Sequence, residues 1–374
     1  MRSGLYIHWP YCEAICPYCD FNVYRARSAA PLAWGEALPA AMMRCAARWP
    51  DLTLASIYFG GGTPSLMDPQ LVADLIALAR RIWPVEDPLE ITLEANPTSA
   101  EADRFGAFAE AGVNRLSLGV QSLRDDQLQF LGRWHSAAEA HAAYERARAA
   151  FASVSIDLIY ALPEQRAADW RGELHEALAW QPDHLAAYQL TVEPGTAFDA
   201  QTRRGRFSPM DEDRAADLYK ITQEETAQAG LPAYEVSNHA RGQARSVHNQ
   251  GYWQGRPYLG LGPGAHGRLP TGDGGWTATY ALKTPADWLA SVAAGGAGIS
   301  ETPLPAHSRA VERVLMGLRQ TEGLVLDHQI EAVLDPDMVA RLAADGLIAI
   351  VEDRLIVPAH ARLLTDGLAN RLIA

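Results

Sequence analysis

The chain has 374 residues, of which 48% are hydrophobic and 21% charged, with a net charge of −13. That length and make-up support a buried core without disulfides, and the acidic balance argues against nucleic-acid binding, where basic patches supply the affinity. No apolar run reaches the length of a membrane span and the N-terminus lacks a signal-peptide pattern, so the expectation is a cytoplasmic chain with no integral membrane segment.

In chain order, residues 5–8 read as a short buried strand, followed by a cysteine-bearing loop at 12–19. Residues 34–49 have helical spacing. Ser56-Ile57-Tyr58-Phe59 is a strand-like run that stops at Gly60-Gly61-Gly62. Asp68-Pro69 supplies the cap and first-turn proline of a helix over 69–82. Strands over 90–94, 115–118, 154–159 and 184–190 alternate with helices over 101–110, 125–130, 137–150, 167–179 and 210–229. Six β-then-α units in series imply an α/β fold with a parallel sheet and helices outside it. An incomplete barrel fits the length, and a doubly wound sheet is the alternative that periodicity leaves open.

The rhythm breaks after residue 200. Residues 237–282 are rich in Gly, Asn, His and aromatics, then come a helix over 285–294 and a Gly/Ala linker at 294–298. The tail reads as helices over 307–319, 327–333, 337–344 and 359–372, with a hairpin at 347–357. That is a winged-helix-like shape, but residues 301–374 hold 7 Arg, no Lys and 11 Asp or Glu, which argues against a DNA-reading wing. The expected division is 1–235, a connecting region 236–304, and 305–374.

The chain has four cysteines, and three fall on one loop, Cys12-Glu13-Ala14-Ile15-Cys16-Pro17-Tyr18-Cys19, spaced C-x3-C-x2-C. Three thiolates can hold three corners of a [4Fe–4S] cluster and leave the fourth iron open to an exogenous ligand. A ferredoxin needs a fourth thiolate, and Cys45 sits in a helical run as a small apolar residue would. Zinc on the three cysteines plus His8 is the other reading, although a second paired ligand set is missing.

This loop resembles that of the radical S-adenosylmethionine superfamily, and the resemblance runs along essentially the whole chain. It is closest to the branch of oxygen-independent coproporphyrinogen III oxidase and its relatives. The resemblance implies a partial (β/α)6 barrel with a small C-terminal helical domain. It also implies S-adenosylmethionine on the open iron, where one electron from the reduced cluster splits the sulfonium into methionine and a 5′-deoxyadenosyl radical.

The same resemblance assigns cofactor contacts. Gly61, Gly62 and Thr63, in the turn after the second strand, match the motif that grips the methionyl amine. Glu94, Gln121, Arg133 and Asp157 lie at or after strand ends and match further S-adenosylmethionine contacts, with Tyr6 and Tyr18 flanking the cluster. Asp157 is informative by itself. It sits between Ile156 and Leu158, and a buried carboxylate needs a partner, either a backbone amide or arginine or a ligand hydroxyl.

Two branches remain, an oxidase making protoporphyrinogen IX and a heme chaperone (HemW) that binds heme and transfers it to acceptor proteins, membrane-associated acceptors included. The oxidases carry a further cysteine two residues after the third, where this chain has Phe21, and a sizeable segment before their first strand, whereas here the first cysteine is residue 12. His248-Asn249-Gln250-Gly251-Tyr252-Trp253 matches the H-N-x-x-Y-W motif of the chaperones. The expectation is a heme-binding loop carrying His248, Asn249, Tyr252 and Trp253, with imidazole as a candidate iron ligand. The alternative is a loop whose aromatics pack and whose His and Asn bond locally. Glu193–Thr196, Tyr234–Asn238 and Gly260–His266 match the wider family without separating its branches.

Overall fold

The structure, a computed structural model, describes residues 1–26 and 31–373. Its first two hundred residues are built from strands β1 (Arg2–Trp9), β2 (Thr53–Gly61), β3 (Val85–Ala95), β4 (Arg115–Gln121), β5 (Ser153–Tyr160) and β6 (His184–Gln189). They lie side by side in chain order, all parallel. The helices that follow them include α1 (Pro31–Arg48), α2 (Pro69–Ile82), α3 (Phe105–Glu110), α4 (Ala137–Ala150), α5 (Ala167–Ala179) and α6 (Glu212–Gln228).

The strands alternate with the period of two that a pleated strand imposes. Leu5 and Ile7, Ile57 and Phe59, Leu93, Leu116 and Leu118, and Ile156 and Leu158 are buried in one apolar core. The positions between them carry Tyr6, Tyr58, Glu94, Ser117 and Asp157. Register holds this second set together: Tyr6 pairs with Tyr58, and Glu94 with Ser117. The barrel interior is therefore polar, and it is the face available to a ligand.

The sheet does not close. Strand β7 (Asn238–Ala240) adds antiparallel to β6, and after helix α7 (Val247–Trp253) strand β8 (Tyr258–Leu261) adds parallel to β1 on the opposite edge. Strands β9 (His266–Pro270), β10 (Trp276–Ala281) and, beyond helix α8 (Pro285–Ala293), β11 (Ile299–Leu304) continue that edge antiparallel, making eleven strands. The architecture is an α/β partial barrel of six parallel strands in chain order, extended by the parallel β8 and by antiparallel strands beyond it and on the other edge. Residues 236–304, read from sequence as a connecting region, thus supply strands to both edges of the sheet.

From helix α9 (Ala306–Gly317) onward, the chain builds a second core around Val314, Ile330, Leu342, Leu355 and Leu368. The expected hairpin is present as Ala349–Val351 against Arg354–Ile356, with Leu324–Val325 as an unanticipated third strand. Two expected helices are broken. The 359–372 segment is a 3-10 turn over Ala359–Leu364 followed by a helix over Thr365–Leu372. The 101–110 segment is split into Ser99–Ala102 and α3, between which the Arg104 guanidinium donates to the carbonyls of Ser65 and Met67. A tertiary contact of that kind overrides helical periodicity.

Candidate functional site

The open side of the barrel encloses a cavity of about 710 Å³, in the range of small-molecule sites. Cys12, Cys16 and Cys19 all line it, as do Tyr18, Gly61, Gly62, Thr63, Glu94, Gln121, Arg133 and Asp157. Eleven of the twelve cluster and nucleotide residues expected from the sequence therefore meet at one cavity. Tyr6 does not line it. Its ring lies lower in the barrel against Tyr58, and its hydroxyl bonds His8 Nδ1 at 3.0 Å.

The cysteine loop is braced from below. Strand β1 ends at Trp9, and the short pairing of Tyr11–Cys12 with Tyr24–Arg25 closes the loop. His8 Nε2 bonds the Asn22 carbonyl at 2.9 Å, and Asn22 Nδ2 donates to the carbonyls of Pro263 and Lys283. All three loop thiols are free and half-buried. Burial raises the Cys12 and Cys19 pKa values, Cys19 to about 11, and the charge of Cys16 adds to both. Three mutually repelling soft donors in a partly dry pocket suit a cationic iron–sulfur group, which takes thiolates and relieves their repulsion. Arg133 Nη1 lies 3.5 Å from Cys16 Sγ, and its Nη2 donates to Asn96 Oδ1 at 2.5 Å and to the Gly119 carbonyl at 2.9 Å.

The amides of the glycine turn are engaged within the protein. Gly61 N donates to Glu94 Oε2 at 3.0 Å, Gly62 N to the Trp9 carbonyl at 2.7 Å, and Thr63 N to the Tyr11 carbonyl at 2.8 Å. The amides lock the turn onto the cysteine loop and onto Glu94, so they are not available to a ligand. Glycine is required at 62 because a Cβ there would lie 2.6 Å from the Tyr11 carbonyl oxygen. Gly61 has a φ of 109°, a backbone state that L side chains rarely adopt.

Glu94 also accepts from the Tyr58 hydroxyl at 2.7 Å. Burial raises its pKa, opposed by those two hydrogen bonds. Asp157 accepts from Ser117 Oγ at 3.1 Å and Ser155 Oγ at 3.4 Å. Burial, reinforced by the charge of Glu94, pushes its pKa up to about 7. Among the described residues, neither a backbone amide nor an arginine hydrogen-bonds this carboxylate. Gln121 closes strand β4 with a φ of 68°, a strained state for a residue with a side chain and one that clusters at functional sites.

The H-N-x-x-Y-W segment needs correction. It is the short helix α7, not a loop. Ser246 caps it by accepting from Asn249 N, and the Glu90 carboxylate accepts from the amides of Val247 and His248. His248 is only 3% exposed, its Nδ1 bonds Ser56 Oγ at 2.9 Å, and its Nε2 bonds the Tyr252 hydroxyl at 3.1 Å. Both imidazole nitrogens are thus engaged, and burial lowers the pKa to about 3. Trp253 lies under the Arg319 guanidinium, 4.8 Å from ring centroid to Cζ. Of the four residues expected to meet heme, Asn249 alone lines the cavity.

Several site residues were not singled out in the sequence. Asn96 ties Thr63, Glu101 and Arg133 together, and Glu101 also binds Ser65 and the Asn96 amide. Thr98-x-x-Glu101 is a capping-box spacing that could have flagged this turn. Tyr58, Ser117 and Ser155 carried no motif, and only register brings them to Glu94 and Asp157.

The model of the Radical SAM superfamily matches residues 6–176. A mouse protein, the mitochondrial radical S-adenosyl methionine domain-containing protein 1, is 43% identical over 87% of this chain and 75% of its own length. The heme chaperone HemW of Mycobacterium tuberculosis is 36% identical over 99% of this chain and 94% of its own. Among solved structures, the coproporphyrinogen III oxidase HemN of Escherichia coli superposes with a TM-score of 0.81 over 99% of this chain and 89% of its own, at 23% identity, which speaks to the fold alone. With its three-cysteine loop at the mouth of a polar partial barrel and its near full-length likeness to these relatives, the chain belongs to the radical S-adenosylmethionine superfamily, in the heme chaperone (HemW) branch.

Proposed function

We propose that this protein binds heme and passes it to acceptor proteins, carrying a [4Fe–4S] cluster on Cys12, Cys16 and Cys19 with S-adenosylmethionine beside it. The observation that carries the reading is the gathering of three free thiols, the locked glycine turn, Glu94, Arg133 and Asp157 around one cavity. The bound cluster would supply one-electron chemistry to the sulfonium. The chain's own residues would hold the nucleotide and exclude water, with Glu94 and Asp157 as acceptors for its hydroxyl and amine donors. Relatives named heme chaperones support the heme role, and Phe21 stands where the oxidases have their further cysteine. Among the described residues no helix is long and apolar enough to cross a membrane.

The test is anaerobic reconstitution with iron and sulfide, then parallel assays. The protein should bind hemin and release it to an apo acceptor, and it should not convert coproporphyrinogen III. Formation of protoporphyrinogen IX at catalytic rates would replace the chaperone reading with the oxidase one.

A further inference from the structure

The cavity mouth carries an apolar rim that the cluster and nucleotide do not account for. Trp134 is 73% exposed, Phe21 62% and Ile15 43%, and all three line the cavity together with the cluster cysteines. Of the chain's ten tryptophans, Trp134 alone is largely exposed. Neither Trp134 nor Phe21 stacks on another aromatic ring among the described residues. Large aromatics held in water beside a ligand cavity mark a binding surface.

Local structure fixes the backbone that carries Trp134. Arg133, the residue before it, is held by Cys16, Asn96 and Gly119, and His135, the residue after it, is buried with Nε2 bonded to the Val120 carbonyl. Both neighbours are anchored, so the indole projects from a fixed backbone. Phe21 lies two residues beyond Cys19 on the braced end of the cysteine loop. Trp134 thus follows the arginine that reaches Cys16, and Phe21 follows Cys19 by two residues, so both rings are attached close to the three thiols.

We propose that Trp134 and Phe21 form the docking platform for the heme macrocycle, which stacks flat across the cavity mouth with Ile15 filling its edge. This assignment rests on the heme-binding reading above. A planar, apolar ring matches exposed aromatic faces, whereas the nucleotide's polar groups match the interior. Charge sets the orientation. Exposed Glu13 and Asp20 and half-buried Glu193 share the mouth, so the two propionates point away from the cavity, toward solvent.

The experiment titrates hemin and hemin dimethyl ester into the anaerobically reconstituted full chain. Trp134→Ala and Phe21→Ala should each weaken hemin binding by about 3- to 10-fold, the range expected for losing one stacked ring. Trp134→Phe should restore most of the affinity. Cluster absorbance and S-adenosylmethionine affinity should be unchanged in all three. The ester, which lacks the two carboxylates, should bind the wild type at least as tightly as hemin. Wild-type hemin affinity in the double Trp134→Ala, Phe21→Ala variant would overturn the platform and leave the chaperone reading intact. An ester that binds tenfold more weakly than hemin would overturn the orientation and the platform with it. Failure of the wild type to bind hemin at all would instead overturn the reading on which both rest.

Discussion

His248 lies flat on Tyr58, with ring centroids 4.6 Å apart, and Tyr58 in turn donates its hydroxyl to Glu94. The histidine of the H-N-x-x-Y-W motif therefore supports a carboxylate of the cavity wall. Its role runs through packing, because Ser56 and Tyr252 take both of its nitrogens.

His248→Ala should consequently behave as a core truncation. It removes a stacked ring and leaves the Ser56 and Tyr252 hydroxyls short of a partner, a loss of about 2–5 kcal/mol of stability. Denaturant unfolding of the apoprotein measures it. The hemin absorption spectrum of the folded variant should match the wild type, and a changed Soret band at unaltered stability would put His248 on the iron after all.

Cys12→Ser, Cys16→Ser and Cys19→Ser should each abolish the anaerobic [4Fe–4S] absorbance. Cys45→Ser should not, because Cys45 is 1% exposed within α1 and lies in the apolar core, where burial pushes its pKa up to about 12. A full cluster in the Cys16 variant would remove the ligand assignment. Zinc recovered in place of iron after anaerobic purification would favour a zinc site.

Glu94→Ala and Asp157→Ala should weaken S-adenosylmethionine binding about 5- to 150-fold, the equivalent of about 1–3 kcal/mol for one lost hydrogen bond to a buried group. Cluster content should stay near normal. Equilibrium dialysis with radiolabelled cofactor reads the first and iron analysis the second. Unchanged affinity in both variants would mean that the nucleotide sits elsewhere.

Asp157 also makes the site pH-dependent. Burial holds its pKa at about 7, so the carboxyl is protonated below that pH and ionised above it. A cationic sulfonium ligand favours the ionised form, so affinity should fall as pH drops through about 7, and Asp157→Asn should flatten the profile. Stability of the empty protein follows the opposite sense. The folded pKa lies above the unfolded value of 3.8, so the native state is penalised progressively as pH rises from about 4 to about 7. Asp157→Asn should therefore raise the melting temperature at pH 8 relative to its effect at pH 4.

Glu90 anchors the start of α7 by accepting from two of its amides, and it lies 3.9 Å from the buried Arg115 guanidinium. Glu90→Ala should cost about 1–3 kcal/mol by leaving those donors unpaired. Through loosening of His248 and Tyr58 it should also lower S-adenosylmethionine affinity. Loss of stability with unaltered cofactor affinity would show that α7 and the cofactor site are energetically separate.

The six β-then-α units and the grouping of three cysteines on one loop were legible in the chain's own pattern. Strand periodicity and short-range spacing are local properties that survive without knowledge of the fold. A C-x3-C-x2-C loop presents its thiols together whatever surrounds it. Helix α2 was equally legible, since Asp68 and Pro69 act within one turn, and the Asp68 side chain does accept from Gln70 N. The tertiary structure decided the rest. It joined residues 236–304 to both sheet edges, because β8 pairs with β1 across more than 240 residues of chain and leaves no local trace. It set the motif at 248–253 in a helix whose first amides are held by Glu90 on a distant strand in addition to the adjacent Ser246 cap. It packed His248 behind the cavity wall, and it left Trp134 in solvent, because the anchoring of Arg133 and His135 comes from strand β4, from Asn96 just past β3 and from the cysteine loop. Burial and hydrogen-bond partners are properties of the assembled sheet, and a residue's type in a motif does not specify them.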